Sequence, residues 1–188
     1  PKPIQHVSFQ HMPPPSPRPE PPTPADRELV AQRLGRPPAG RFRVARRDDA
    51  GRPVVIENHP ILDDQGGQPQ PFPTTHWLID PGLVAAVGRL ESAGAVAQLE
   101  RRIQEDADLA ARVAEDHRRL IAYRLSLLAE DHRNALAAAG RLGVLQQRGV
   151  AGIADFTRVK CLHAWLAHHL ARGNALGPMI QAALTPEA

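Results

Sequence analysis

Residues Ala95–Ala139 read AVAQLERRIQEDADLAARVAEDHRRLIAYRLSLLAEDHRNALAAA, and the reading of this stretch decides the fold. Alanine, leucine, arginine and glutamate dominate it, and these residues lose little freedom on entering a helix. No proline interrupts it. Val113, Leu120 and Leu127 recur at seven-residue spacing, which gathers them into one buried stripe. On a second stripe His117, Ile121, Arg124, Leu128 and His132 follow at steps of three or four. A histidine and an arginine facing inward must find partners, because unpaired buried polar groups are costly. Arg124 either meets a carboxylate such as Glu91 or Asp116, or joins His117 in a basic pocket across the bundle.

Working upstream, PGLVAAVGRLESAG reads as a helix with Asp80 as N-cap and Pro81 at its first position, burying Leu83, Val87 and Leu90. HWLID reads as a short strand. The segment HPILDDQGGQPQPFPTTHW is a long loop rich in proline and glycine. RFRVARRDDAGRPVVIEN alternates around Phe42, Val44 and Val54–Ile56, with DDAG as turn chemistry, and predicts a β-hairpin. DRELVAQRLGR predicts a short helix capped by Asp26 and stopped by Gly35. Residues 1–25 hold ten of the twenty prolines, so they predict a disordered, polyproline-like tail. Downstream, glycines break the helical pattern, and a last long helix starts near Thr157 and stops at Gly173. NALGPMIQAAL follows as a helical stub. The expected architecture is α+β and mostly helical: one domain over residues 26–188, with a small N-terminal β-hairpin packed on a helical bundle.

Composition narrows the function classes. Aromatic residues are only 4% of the chain, so the core must be aliphatic. No apolar run approaches the roughly 18 residues that span a bilayer, and no secretory h-region is present. One cysteine excludes an internal disulfide and fits a reducing cytoplasm. A net charge of +3 is too small to argue for a nucleic-acid partner.

Against that background RVKCLHAWLAHH, Arg158–His169, stands out. The chain has 23 basic residues but only two lysines, Lys2 and Lys160, and its sole cysteine is Cys161. His163, His168 and His169 follow at once. With Thr157 as N-cap, Lys160 and Cys161 fall in the first turn, where free N–H groups and the helix dipole attract anions. Arg158 adds charge, and the same field would lower the Cys161 pKa. Cys161, Trp165 and His168 share one face, while His163 points the other way. Cys161 and His168 lie about 10 Å apart along the axis, so the helix alone offers no metal ligand set, and no zinc spacing is present. Equally, a lone buried cysteine is commonly a small hydrophobe, and histidines on such helices often satisfy backbone carbonyls.

These residues resemble a family. GVAGIADFTRVKCLHAWLAHHLARGN is similar to the C-terminal signature of the bacterial domain-of-unknown-function family 501. PFPTTHWLIDP resembles its N-terminal signature and DHRRLIAYR its central helix. The resemblance covers roughly residues 40–180 and implies a bacterial cytoplasmic protein without assigned chemistry. It adds Asn174 to Lys160, Cys161, His163, His168, His117 and Arg124 as family-like positions. His76 stands where the family pattern suggests an aromatic residue, and the DDQGGQPQ loop is expanded. Members are often encoded near a septum-formation initiator and an exopolyphosphatase, which implies association without mechanism.

Three readings follow. In the first, Lys160, Arg124, His117, Arg158 and Asn174 hold a small phosphate- or carboxylate-bearing ligand, with Cys161, His163 and His168 as candidate catalytic groups. In the second, the bundle is a noncatalytic module that docks a protein partner of the division or envelope machinery, and Trp77 or Trp165 is exposed. In the third, His59, His76 or His117 joins Cys161 or His163 around a metal. No cofactor is assigned.

Overall fold

The computed structural model describes residues 18–62 and 69–185. Most of the expected tail and the first six residues of the DDQGGQPQ loop therefore lie outside the described residues. The fold is α+β and mostly helical. Helix α1 spans Pro24–Leu34; strands β1 (Phe42–Arg47), β2 (Pro53–Asn58), β3 (Ile61–Leu62), β4 (Gln70–Pro71) and β5 (His76–Leu78) follow. Helices α2 (Pro81–Ser92), α3 (Ala95–Glu105), α4 (Ala107–Ser126), α5 (Glu130–Ala138), α6 (Leu142–Gln147), α7 (Leu162–Arg172) and α8 (Gly177–Leu184) complete the chain.

β1, β2 and β5 form an antiparallel sheet with β2 central. Its two faces divide the core, because alternate residues of a strand point to opposite sides. Val55 and Leu78 join the main helical cluster with Val113, Leu120, Trp165 and Leu166. Ile56 faces the other way, into a smaller cluster with Val30 of α1, Phe42 and Val44. Coverage on both faces explains why every residue of β2 is buried. Helix α7 runs through the centre, burying seven of its eleven residues.

Several boundaries differ from the sequence reading. Helix α1 is capped by Thr23 in a reciprocal box with Asp26 at its third position, and Glu20 bridges Val44. Asp26 instead takes two hydrogen bonds from Arg47, at 2.8 and 2.9 Å, which pin α1 to β1 and hold its carboxyl well below the usual range. The Ala95–Ala139 stretch is three helices: Asp106 ends one and caps the next by accepting from Leu109 N. The Pro/Gly-rich segment carries a short ladder, Ile61 opposite Pro71. The final long helix begins at Leu162 with Cys161 at its N-cap, four residues later than the expected cap Thr157.

Candidate functional site

The late start of α7 reshapes the opening motif. Thr157 does not cap the helix, because its N–H and hydroxyl both bond Asp155 Oδ1 in a local turn. The chain stays extended through Cys161, which is the N-cap residue and makes no side-chain capping bond. Two carboxylates from other helices take the exposed donors instead. Glu91 Oε1 accepts from Leu162 N at 2.5 Å and lies 3.1 Å from His163 Nδ1. Glu100 Oε1 accepts from Val159 N and Arg158 Nε, at 2.9 and 2.8 Å. The helix end is positive, as expected, but the protein's own acids neutralise it and Arg158.

What remains open is a cavity of about 370 Å³ beside this segment. Lys160, Cys161 and His163 line it together with Arg36 from the α1–β1 loop, and His76 and Trp77 of β5. Leu34, Thr74, Leu78, Ala151 and Ala164 also line it, and no carboxylate does so among the described residues. Lys160 is exposed, and Cys161 and His163 are half-buried. Burial pushes the Cys161 thiol up and the nearby Glu91 charge adds to this, while the backbone N–H groups of Ala164 and His163 and the Lys160 charge pull the other way. The expected low thiol pKa is thus corrected: the thiol sits before the helix, partly desolvated. His163 is held at both ring nitrogens, by Glu91 and by the Val84 carbonyl at 3.1 Å.

The Gly149–Gly152 turn that supports the cavity needs its glycines. A Cβ on Gly149 would fall 2.1 Å from His117 Nδ1. Gly152 has φ +71°, and Ala151 itself adopts φ +61°, a conformation that costs an L-residue about 1–2 kcal/mol.

The other expected site residues are elsewhere. Arg124 is fully buried, and among the described residues it pairs with no carboxylate. Its guanidinium donates to the carbonyls of Pro73, Leu145 and Arg148. His117 Nδ1 accepts from Val150 N at 2.9 Å, and its ring packs on Phe156 and Trp165. Burial lowers its pKa to about 4. Asn174 donates to Trp165 O and caps α8 through Gly177 N. These three brace the backbone around the cavity without lining it.

His168 is also buried, but it backs the cavity. Its ring stacks on His76 with centroids 5.2 Å apart, and the two Nδ1 atoms are separated by 3.3 Å. Only one of them can carry the bridging proton. Glu57 Oε2 lies 3.4 Å from His76 Nε2 and favours a proton there, so His168 donates to His76. Tyr123 donates to the same Glu57 oxygen at 2.8 Å. Desolvation holds both imidazoles below their ordinary pKa, His168 well below it. The sequence reading missed Arg36 and Glu57 as site residues and gave His76 only as a metal candidate. A lone acid directly after the apolar run Val54–Ile56 was the available signal for Glu57, since such a side chain must be paired when buried. Arg36 carried none.

Among the described residues, no group of three or more His, Cys, Asp or Glu side chains is placed to hold a metal ion. Fold and site together define a mostly helical α+β domain with a cation-rimmed, histidine-backed cavity. The chain belongs to the family described as "Protein of unknown function (DUF501)", which matches residues 44–182. No curated protein matches the chain, and no solved structure does.

Proposed function

We propose that this chain binds a small phosphate- or carboxylate-bearing molecule in the Lys160 cavity. The observation that carries the reading is charge: Lys160 and Arg36 line one cavity whose walls, among the described residues, hold no carboxylate. Its volume is in the range of small-ligand sites, and Trp77 offers an apolar surface for the rest of the ligand. Arg124, His117 and Asn174 act in this reading by fixing the loop and helix that carry Lys160. Arg158 is already matched by Glu100.

Binding is favoured over catalysis. A thiol pushed up by burial is protonated near neutral pH and is a poor nucleophile, and both His163 nitrogens are engaged. The setting we infer is the bacterial cytoplasm, in keeping with the single cysteine. No helix among the described residues is long and apolar enough to cross a membrane. A docking module would draw support from an exposed tryptophan, but Trp165 is 0% exposed and Trp77 is half-buried.

The test is calorimetric titration with inorganic phosphate and small phosphate esters at low salt. Binding should weaken about tenfold in Lys160→Ala and further when Arg36→Ala is added, as expected for loss of charge-assisted hydrogen bonds. Affinity unchanged in the double variant, or no binding by the unaltered chain, overturns the reading.

A further inference from the structure

A second cavity, of about 430 Å³, opens at the edge of the sheet, between Pro21–Pro22, α1 and β1–β2. Arg27, Arg41 and Arg43 line it, with Phe42 on its wall and Glu57 as its only carboxylate among the described residues. Arg27 and Arg43 are held by uncharged contacts. The Arg27 guanidinium carbon lies 5.8 Å from the centre of the Phe42 ring. Arg43 donates to the Pro19 carbonyl at 3.2 Å. Neither has a carboxylate partner among the described residues, whereas Arg47, Arg52 and Arg158 each meet one. Arg43 stands opposite Glu57 in the β1–β2 ladder, so one carboxylate faces three guanidinium groups in this wall; the excess positive charge and the fork geometry of arginine suit an oxyanion.

Glu57 sets a second requirement. It is 3% exposed, and Tyr123 and His76 both approach its Oε2. Glu57 also lines this cavity, and a carboxylate there can accept from a ligand hydroxyl. We propose that this cavity is a second binding site, for a small phosphate ester carrying hydroxyl donors. Arg27 and Arg43 hold the phosphate, and Glu57 selects for the hydroxyl-bearing part. The site is distinct from the Lys160 cavity, although Glu57 and His76 stand back to back between the two.

The experiment titrates ribose 5-phosphate and inorganic phosphate into the full chain bearing Lys160→Ala and Arg36→Ala, which removes the charge of the first cavity. One molecule of ribose 5-phosphate should still bind, more tightly than inorganic phosphate. Adding Arg27→Gln and Arg43→Gln, both exposed positions, should weaken it about tenfold or more. Glu57→Gln should erase the preference over inorganic phosphate, with circular dichroism verifying that the fold persists. If that variant unfolds, the same preference is read in the unaltered Glu57 background with 2-deoxyribose 5-phosphate, which should bind more weakly than ribose 5-phosphate. No binding to the Lys160/Arg36 variant, binding indifferent to Arg27 and Arg43, or no preference for the hydroxylated ligand overturns the proposal. Failure here leaves the Lys160 reading untouched, since that is read from Lys160 and Arg36 alone.

Discussion

Removing the Arg124 guanidinium would strip three backbone carbonyls, those of Pro73, Leu145 and Arg148, of a shared donor inside the protein. Carbonyls left buried without partners cost far more than an average hydrogen bond contributes. Arg124→Met should therefore lower stability by about 3–5 kcal/mol, the range for breaking a buried charged network, measured by urea unfolding. A loss under ~1 kcal/mol would show that the network is replaceable. That Arg124 faces inward and needs partners was legible in its helical spacing. That the partners are carbonyls was not, because a backbone oxygen has no identity in a sequence. The scarce residues Lys160, Cys161 and His163 were conspicuous by composition, and they share a cavity. Arg36 looks like any other arginine of this chain and comes into that cavity only through the turn after α1.

At the scale of elements, the junction between α2 and α7 holds the start of α7. Glu91 on α2 caps α7 from outside by taking Leu162 N, and it also orients His163. Glu91→Ala should cost about 1–2 kcal/mol, as loss of an N-cap acceptor does, and should release the His163 ring. Gln at this position keeps an acceptor oxygen and should recover part of the loss. Equal stability of the Ala variant and the unaltered chain would mean that solvent caps the helix as well. Local chemistry made most elements legible: the Asp80–Pro81 start of α2, the β1–β2 hairpin and the alanine-rich helices. The start of α7 was misjudged because Thr157 has a nearer partner, Asp155, and a cap supplied from 71 residues away leaves no local pattern. The break at Asp106 was hidden because aspartate is tolerated on an exposed helix face, while its capping geometry shows only in three dimensions.

Taken as a whole molecule, the protein buries three neutral imidazoles, His76, His117 and His168, around the core of α7. Each has a native pKa below the ordinary value of 6.5, because burial disfavours the cation. Above that value folded and unfolded chains are both neutral at these positions, and stability is full. As pH falls through it, the unfolded chain takes up protons that the native chain refuses. Stability then drops by up to about 1.4 kcal/mol per pH unit for each histidine, until the native pKa is reached, about 4 for His117. Asp116, raised by burial, opposes the trend only where carboxylates titrate. The urea midpoint should fall between pH 7 and pH 5, and a flat profile there would show that these rings are solvated.

The α+β class followed from summed local patterns. The back-to-back cavities did not, since they arise from segments brought together only by the sheet. The most direct test of the Lys160 cavity uses its own thiol: the alkylation rate of Cys161 by iodoacetamide, followed at constant ionic strength as inorganic phosphate is added. The rate should fall to a plateau with phosphate in the unaltered chain and stay level in Lys160→Ala. A rate indifferent to phosphate in both would contradict an anion seated beside Lys160.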